Sequence, residues 1–380
     1  MSLIVDAHQD LAWNAITFGR DYSHSAHTIR ESELNSAAPA HNGNTLLGLP
    51  DYLRGEVAIV FGTLFAAPFR NKMGEWDVLN YKDSVQAHRL YAQQLDYYER
   101  LADTHPEFML INTRRDLEGV LATWSPTSYH PVAKRSGHDV GRSQETSDSN
   151  RQVGIVRLME GADGIREPKE AEWWLERGVR IIGLAWAATR YAGGTGEPGP
   201  LTLEGRRLLA EMANLGLILD LSHASDESFL EAIERFEGTI IASHANPRAM
   251  LKDPQRPERF LSDDMIRALR DRGGVTGIVP FNRFLKAGWQ NADGKHSITL
   301  EHVVAMIDHV CQITGNADYV GIGSDFDGGF GVEHAPAEID TVADLGLIGG
   351  KLKERGYAET DVEKVMGGNW LRILRRGLPA

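Results

Sequence analysis

Apolar runs recur eight times along the chain, at 3–8, 56–65, 154–160, 179–186, 216–223, 238–244, 274–281 and 318–325. Most are continuous rather than alternating, the pattern of strands buried on both faces. Helical periodicity separates nearly all of them, over 81–103, 168–177, 202–215, 226–236, 262–272 and 299–314. Two more helices, 341–356 and 360–376, follow the last strand. In 299–314, Val303, Ile307, Val310 and Ile313 fall on one face at spacings of three and four. Ser225 and Ser262 stand where N-caps belong. Strand and helix alternating in this way predict an α/β chain folded as one (β/α)8 TIM barrel over 1–380. An open doubly wound sheet is the rival, but it would carry a Gly-rich phosphate turn after the first strand, where His8-Gln9-Asp10 stands instead.

Several connections are long. Segments 14–50, 187–200 and 282–298 leave the C-terminal ends of strands, where a barrel builds its active site and lids. The run Gly193-Gly194-Thr195-Gly196 lacks the Lys-Ser/Thr of a phosphate loop and reads as a flexible lid. Segment 124–152 precedes the third strand and so belongs on the opposite face. Its Ser/Thr/Asp/Arg-rich composition predicts a mobile surface insertion.

The chemistry lies where the strands end. His8 and Asp10 follow the first run, Glu160 the third, His223 and His244 the fifth and sixth, and Asp325 the eighth. One histidine at a strand end is ordinarily a satisfied core or rim residue. Several in register, joined by carboxylates and with no thiolate, predict a catalytic zinc or similar divalent site. His8 and Asp10, two apart, point to one side of the pleat. The ligand count suggests two cations, one on His8 and Asp10, the other on His223 and His244, with Glu160 between them. Such a pair generates a hydroxide at neutral pH. A general base is then needed, and Asp325 is the candidate; Asp327 would share its strand face, and the pattern alone does not separate them.

The stretches Val5-Asp6-Ala7-His8-Gln9-Asp10, Met159-Glu160-Gly161, Asp220-Leu221-Ser222-His223, Ala242-Ser243-His244 and Gly321-Ile322-Gly323-Ser324-Asp325-Phe326-Asp327-Gly328 resemble the membrane (renal-type) dipeptidase family of amidohydrolase-like barrels. Gly367-Gly368-Asn369-Trp370-Leu371-Arg372 resembles that family's closing helix. The resemblance implies two zinc ions on His8, Asp10, Glu160, His223 and His244, with Asp325 as the proton-transferring acid/base. It also implies hydrolysis of dipeptides, often with a D-residue at the C-terminal position, and a homodimer. Arg259 matches the family's arginine that grips the substrate carboxylate, a task suited to a guanidinium fork; a solvated surface arginine is the plainer alternative. One departure stands out. The family's Leu-Thr-His at the end of the fourth strand is Leu184-Ala185-Trp186 here, replacing a chargeable imidazole with a neutral indole. Either Arg190 on the following loop compensates, or the substrate is another small amide, lactone or ester. A barrel that binds metal without catalysis is the remaining alternative.

Composition narrows the partners. Fifty-three acidic against 40 basic residues give a net charge of −13, which argues against nucleic acid or an anionic membrane. The single cysteine, Cys311, excludes an internal disulfide and fits a reducing cytoplasm. No basic leader precedes the first strand and no apolar stretch approaches the roughly 20 residues of a membrane span. A small dipeptide-like substrate is the expected partner.

Overall fold

The computed structural model describes residues 3–125 and 150–380. Eight parallel strands form the barrel wall: β1 (Ile4–Gln9), β2 (Val57–Phe65), β3 (Val153–Glu160), β4 (Val179–Gly183), β5 (Ile218–Asp220), β6 (Ile240–Ile241), β7 (Thr276–Ile278) and β8 (Val320–Ile322). Their order is β7-β8-β1-β2-β3-β4-β5-β6. The seam between β6 and β7 closes through the Ala242–Thr276 bridge, with Ala242 N donating to Val275 O at 2.9 Å and Gly277 N to Ala242 O at 2.8 Å. An added Cβ on Gly277 or Gly323 would lie 1.9 Å from Ser243 O. Only glycine admits so close a backbone approach beside the site.

The barrel is shut from below by the last helix. Val5, Ile59, Phe61, Val156 and Leu158 cluster with Trp370, Ile373 and Leu374. Trp370 Nε1 donates to Ile322 O at 2.9 Å, and Asn369 Nδ2 reaches Val320 O at 2.8 Å. The helix expected over 360–376 is broken into Glu359–Glu363, a π turn at Lys364–Gly368 and Asn369–Gly377. The break falls where Gly367 passes the first strand, since a Cβ there would lie 2.5 Å from Leu3 O.

Other expectations need correction. The runs at 216–223 and 238–244 form only three- and two-residue strands, because the chain leaves the ladder to present its histidines. A ninth strand, Phe108–Leu110, pairs with the first half of β3. Helix Arg114–Thr123, with its Thr113–Asp116 capping box, also went unpredicted. Ser262 caps as expected, accepting from Met265 N at 3.3 Å. Ser225 does not cap, since its hydroxyl donates to Gly199 O at 2.5 Å. Of the expected insertion, residues 126–149 lie outside the described residues, while its ends are joined by Trp124 Nε1 donating to Gln152 O at 2.7 Å. No helix among the described residues is long and apolar enough to cross a membrane.

Segment 14–50 is not a lid. It is folded into helices Leu11–Phe18, Ala26–Glu33 and Ala38–Asn42, and it is bolted to the barrel through Asp327. That carboxylate accepts from Arg20 Nη1 at 2.8 Å, Tyr22 OH at 2.7 Å, Thr45 Oγ1 at 2.6 Å and Leu46 N at 3.0 Å. Arg20 also bonds Glu33 at 2.9 Å and is buried. Removing one member of a buried ion pair strands the other charge. Asp327→Ala is therefore expected to destabilise the fold by about 3 kcal/mol, read as a lower urea midpoint; an unchanged midpoint contradicts the anchoring role.

Candidate metal centre

Five of the predicted ligands converge at the C-terminal mouth of the barrel. Glu160 Oε1 lies 3.7 Å from His8 Nε2, 3.1 Å from His223 Nε2 and 3.3 Å from His244 Nε2. His8 Nε2 is also 3.7 Å from Asp10 Oδ2 and 3.7 Å from Asp325 Oδ1. Ligand atoms of His8, Glu160 and His244, and of His8, Asp10 and Asp325, each fall within 4.8 Å of one another. All are buried except Asp325, which is partly exposed.

Backbone geometry delivers them. His223 and Asp325 hold φ at 65° and 58°, the left-handed region that side chains other than glycine seldom adopt. Non-glycine residues kept there cost free energy and concentrate at functional sites. Beside them, Gly328 leaves room that a side chain would take: a Cβ would lie 2.3 Å from Asp325 Oδ1 and 2.7 Å from Asp10 Oδ2.

Neighbouring groups fix which ring nitrogens are free. Ser243 Oγ donates to Asp220 Oδ2 at 2.5 Å and therefore accepts from His244 Nδ1, 2.7 Å away. The proton on Nδ1 leaves the Nε2 lone pair open. Thr195 Oγ1 lies 3.0 Å from His223 Nδ1 and orients that ring similarly. Thr63 Oγ1 donates to Asp10 Oδ1 at 2.5 Å. Ser324 clamps Asp6 through its N–H at 2.7 Å and its hydroxyl at 2.5 Å, fixing β8 against β1. Such supports are characteristic of metal-ligating residues.

The electrostatics favour a cation. Burial pushes the imidazoles of His8, His223 and His244 well below the ordinary histidine range, so all three rings are neutral and able to offer a lone pair to a cation. Burial raises the Asp10 carboxyl to about 7, against the Thr63 hydrogen bond that lowers it. Glu160 and Asp325 are likewise raised, first by burial and then by repulsion from Asp10. Clustered carboxylates without a counter-charge resist ionisation, and a bound divalent ion reverses that. His8 Nε2 is fully buried yet has no hydrogen-bond partner among the described residues. An unmet buried nitrogen costs about 1–3 kcal/mol, a penalty that coordination removes. The residues present thus fit a divalent metal.

The structure distinguishes Asp325 from Asp327. Asp325 faces the ligand cluster, while both oxygens of Asp327 are consumed by the anchor described above. Arg259 is buried rather than solvated. Its Nη1 donates to His244 O at 2.8 Å, Nη2 lies 3.8 Å from Asp325 Oδ2 without a hydrogen-bond partner, and Phe284 stacks beneath it at 4.9 Å. Trp186 also lines the mouth, 4.9 Å from Phe65 and 6.3 Å from His223 between ring centroids. Arg190 does not join them. Its N–H bonds Asp163 at 3.0 Å, its guanidinium bonds Arg166 O, and it lines a separate surface pocket.

A cavity of about 1130 Å³ opens above the cluster. Segments 187–200 and 282–298 contribute to its wall as expected; no residue of 14–50 does. The Gly193–Gly196 run is tied down rather than lid-like, with Thr195 N donating to Trp186 O at 2.9 Å and Ser225 N to Gly193 O at 3.1 Å. The loop 251–260 supplies much of the remaining wall. Ser243, Asp220, Thr63 and Thr195 were missed as supports. Ser243 was visible only as the neighbour of His244, and Thr63 only through the pairing of β2 with β1.

The family model described as membrane dipeptidase (Peptidase family M19) matches residues 137–377. An uncharacterised protein from the pqqA 5′ region of Klebsiella pneumoniae is 33% identical over 251 residues, covering 63% of this chain and 86% of its own length. Dipeptidase tcpJ of Claviceps purpurea is 29% identical over 208 residues, covering 52% of this chain and 44% of its own; the match spans under half of that protein. A metallo peptidase from Rhodobacter sphaeroides, solved with a phosphinate mimic of the dipeptide L-Ala-D-Ala, superposes with a TM-score of 0.75 at 20% identity, covering 99% of this chain and 100% of its own.

The support given by Ser243 is testable directly. Losing such a partner typically weakens metal affinity by about 10–100-fold. Ser243→Ala should show that loss when zinc is titrated against a chelating dye, and an unaltered affinity would remove Ser243 from this role.

Proposed function

From the premise that the chain belongs to the membrane dipeptidase family, we propose that it is a metallo-dipeptidase holding two divalent cations, zinc by family precedent. His8 and Asp10 would hold one, His223 and His244 the other, and Glu160 would serve both. The observation that carries this reading is the single carboxylate oxygen of Glu160 within 3.7 Å of all three Nε2 atoms. A bound divalent cation supplies Lewis acidity toward the scissile carbonyl and lowers the pKa of water toward neutrality.

The chain's own residues do the rest. Asp325 is the acid/base. In its ionised form, which a bound cation favours, its carboxylate takes the proton of the attacking water and returns it to the leaving amine. Arg259 holds the terminal carboxylate of the substrate with its Nη2, which makes no hydrogen bond among the described residues, while its Nη1 remains on His244 O. Trp186 and Phe65 form an apolar wall beside His223 that excludes bulk water. The L-Ala-D-Ala mimic on the Rhodobacter sphaeroides neighbour supports admitting a D-residue at the C-terminal position. Trp186, in the place of a chargeable family histidine, favours one second reading: the same centre acting on another small amide, lactone or ester. A cytoplasmic location rests on the lone thiol of Cys311, and a homodimer on the family resemblance alone.

Chelation should abolish turnover of a dipeptide panel and zinc add-back restore it; turnover indifferent to chelator overturns the mechanism. Asp325→Asn should retain its metal by elemental analysis yet lose about 10²–10⁴-fold in kcat. Full activity in that variant removes Asp325 from proton transfer, and hydrolysis confined to N-acyl amino acids or lactones favours the second reading.

A further inference from the structure

Aromatic rings line much of the cavity, among them Trp13, Phe65, Trp186, Phe281, Phe284 and Trp289. Two loops bring Lys252, Arg256 and Arg283 to the same cavity as Arg259. The three additional cations are exposed, and none has a carboxylate within ion-pair distance among the described residues. Among the described residues, the acids of the same wall are Asp253 and the cluster's own Asp10, Glu160 and Asp325; Glu258, next to Arg259, accepts from Gly196 N at 2.6 Å. Beyond the ligand cluster and Arg259, the wall thus carries three cations and one acid, in a chain of net charge −13.

Position gives the surplus its meaning. Arg256 lies against Gly196, where an added Cβ would be 3.6 Å from its guanidinium carbon. Gly196 follows Thr195, the residue that orients His223. Arg283 precedes Phe284, the ring beneath Arg259, and bonds Asn291 Oδ1 at 3.3 Å. Arg256 and Arg283 thus sit on the two loops that carry Arg259, the group assigned to the terminal carboxylate, and the ring beneath it.

Resting on the dipeptidase reading, we propose that Lys252, Arg256 and Arg283 select dipeptides whose C-terminal residue carries a second carboxylate. The substrate's α-carboxylate meets Arg259, and its acidic side chain extends outward into the field of the three cations. Such exposed charges each contribute only a few-fold and are screened by salt. Together they give a preference of about tenfold.

The test uses the full-length, zinc-loaded protein with Ala-Glu, Ala-Gln and Ala-Lys, each with an L or D second residue. Expected is a kcat/KM for Ala-Glu about tenfold above Ala-Gln, with Ala-Lys lowest and the gap narrowing as ionic strength rises. In Arg256→Gln/Arg283→Gln the Glu-to-Gln ratio should fall toward one. Equal rates for Ala-Glu and Ala-Gln in the unaltered protein overturn the proposal while leaving the dipeptidase reading intact. A ratio that persists in the double variant overturns the assignment to these side chains. Absence of turnover on every dipeptide overturns the parent reading and this inference with it.

Discussion

A handful of carboxylates and imidazoles are buried within a few ångströms of one another, and everything else at the barrel mouth serves to keep them there. Glu160 is the meeting point of the three histidines, and among the described residues Arg259 is the guanidinium packed against them. Desolvated acids in such a cluster hold their protons, and desolvated imidazoles shed theirs. A divalent ion inverts that balance for the acids while using the neutral imidazoles as they are. The site is thus built around a charge that the polypeptide does not itself provide.

Holding the cluster requires a rigid frame. Parallel strands point their C-terminal ends at one opening, and the last helix plugs the other with Trp370. Two positions, His223 and Asp325, adopt left-handed backbone conformations that only a well-determined surrounding maintains. The Asp220–Ser243–His244 and Asp6–Ser324 hydrogen bonds supply that determination across β5, β6, β8 and β1. Glycines at 277, 323 and 328 matter for the space they leave, letting backbone and carboxylates approach where a methyl group would collide.

Much of this was legible in the chain. Ligands at the ends of apolar runs announce a barrel mouth because parallel strands all run the same way, so strand ends alone locate the site. Lateral relations were not legible. Thr63 supports Asp10 through a strand pairing, and Asp327 is claimed by Arg20, 307 residues away. That distant contact is what separates Asp325 from Asp327, which periodicity left equivalent. Arg190 failed as a site residue because a position near a strand end does not fix the direction of its side chain, and here Asp163 and Arg166 draw it to another surface. Segment 14–50 failed as a lid for a related reason: its length was visible, its buried ion pair was not.

Anomalous diffraction from crystals of the zinc-loaded protein tests the central claim most directly. The account predicts two peaks at the barrel mouth, both in contact with Glu160, one beside His8 and Asp10 and the other beside His223 and His244. A single peak, or peaks that leave Glu160 or His8 uncoordinated, would contradict it.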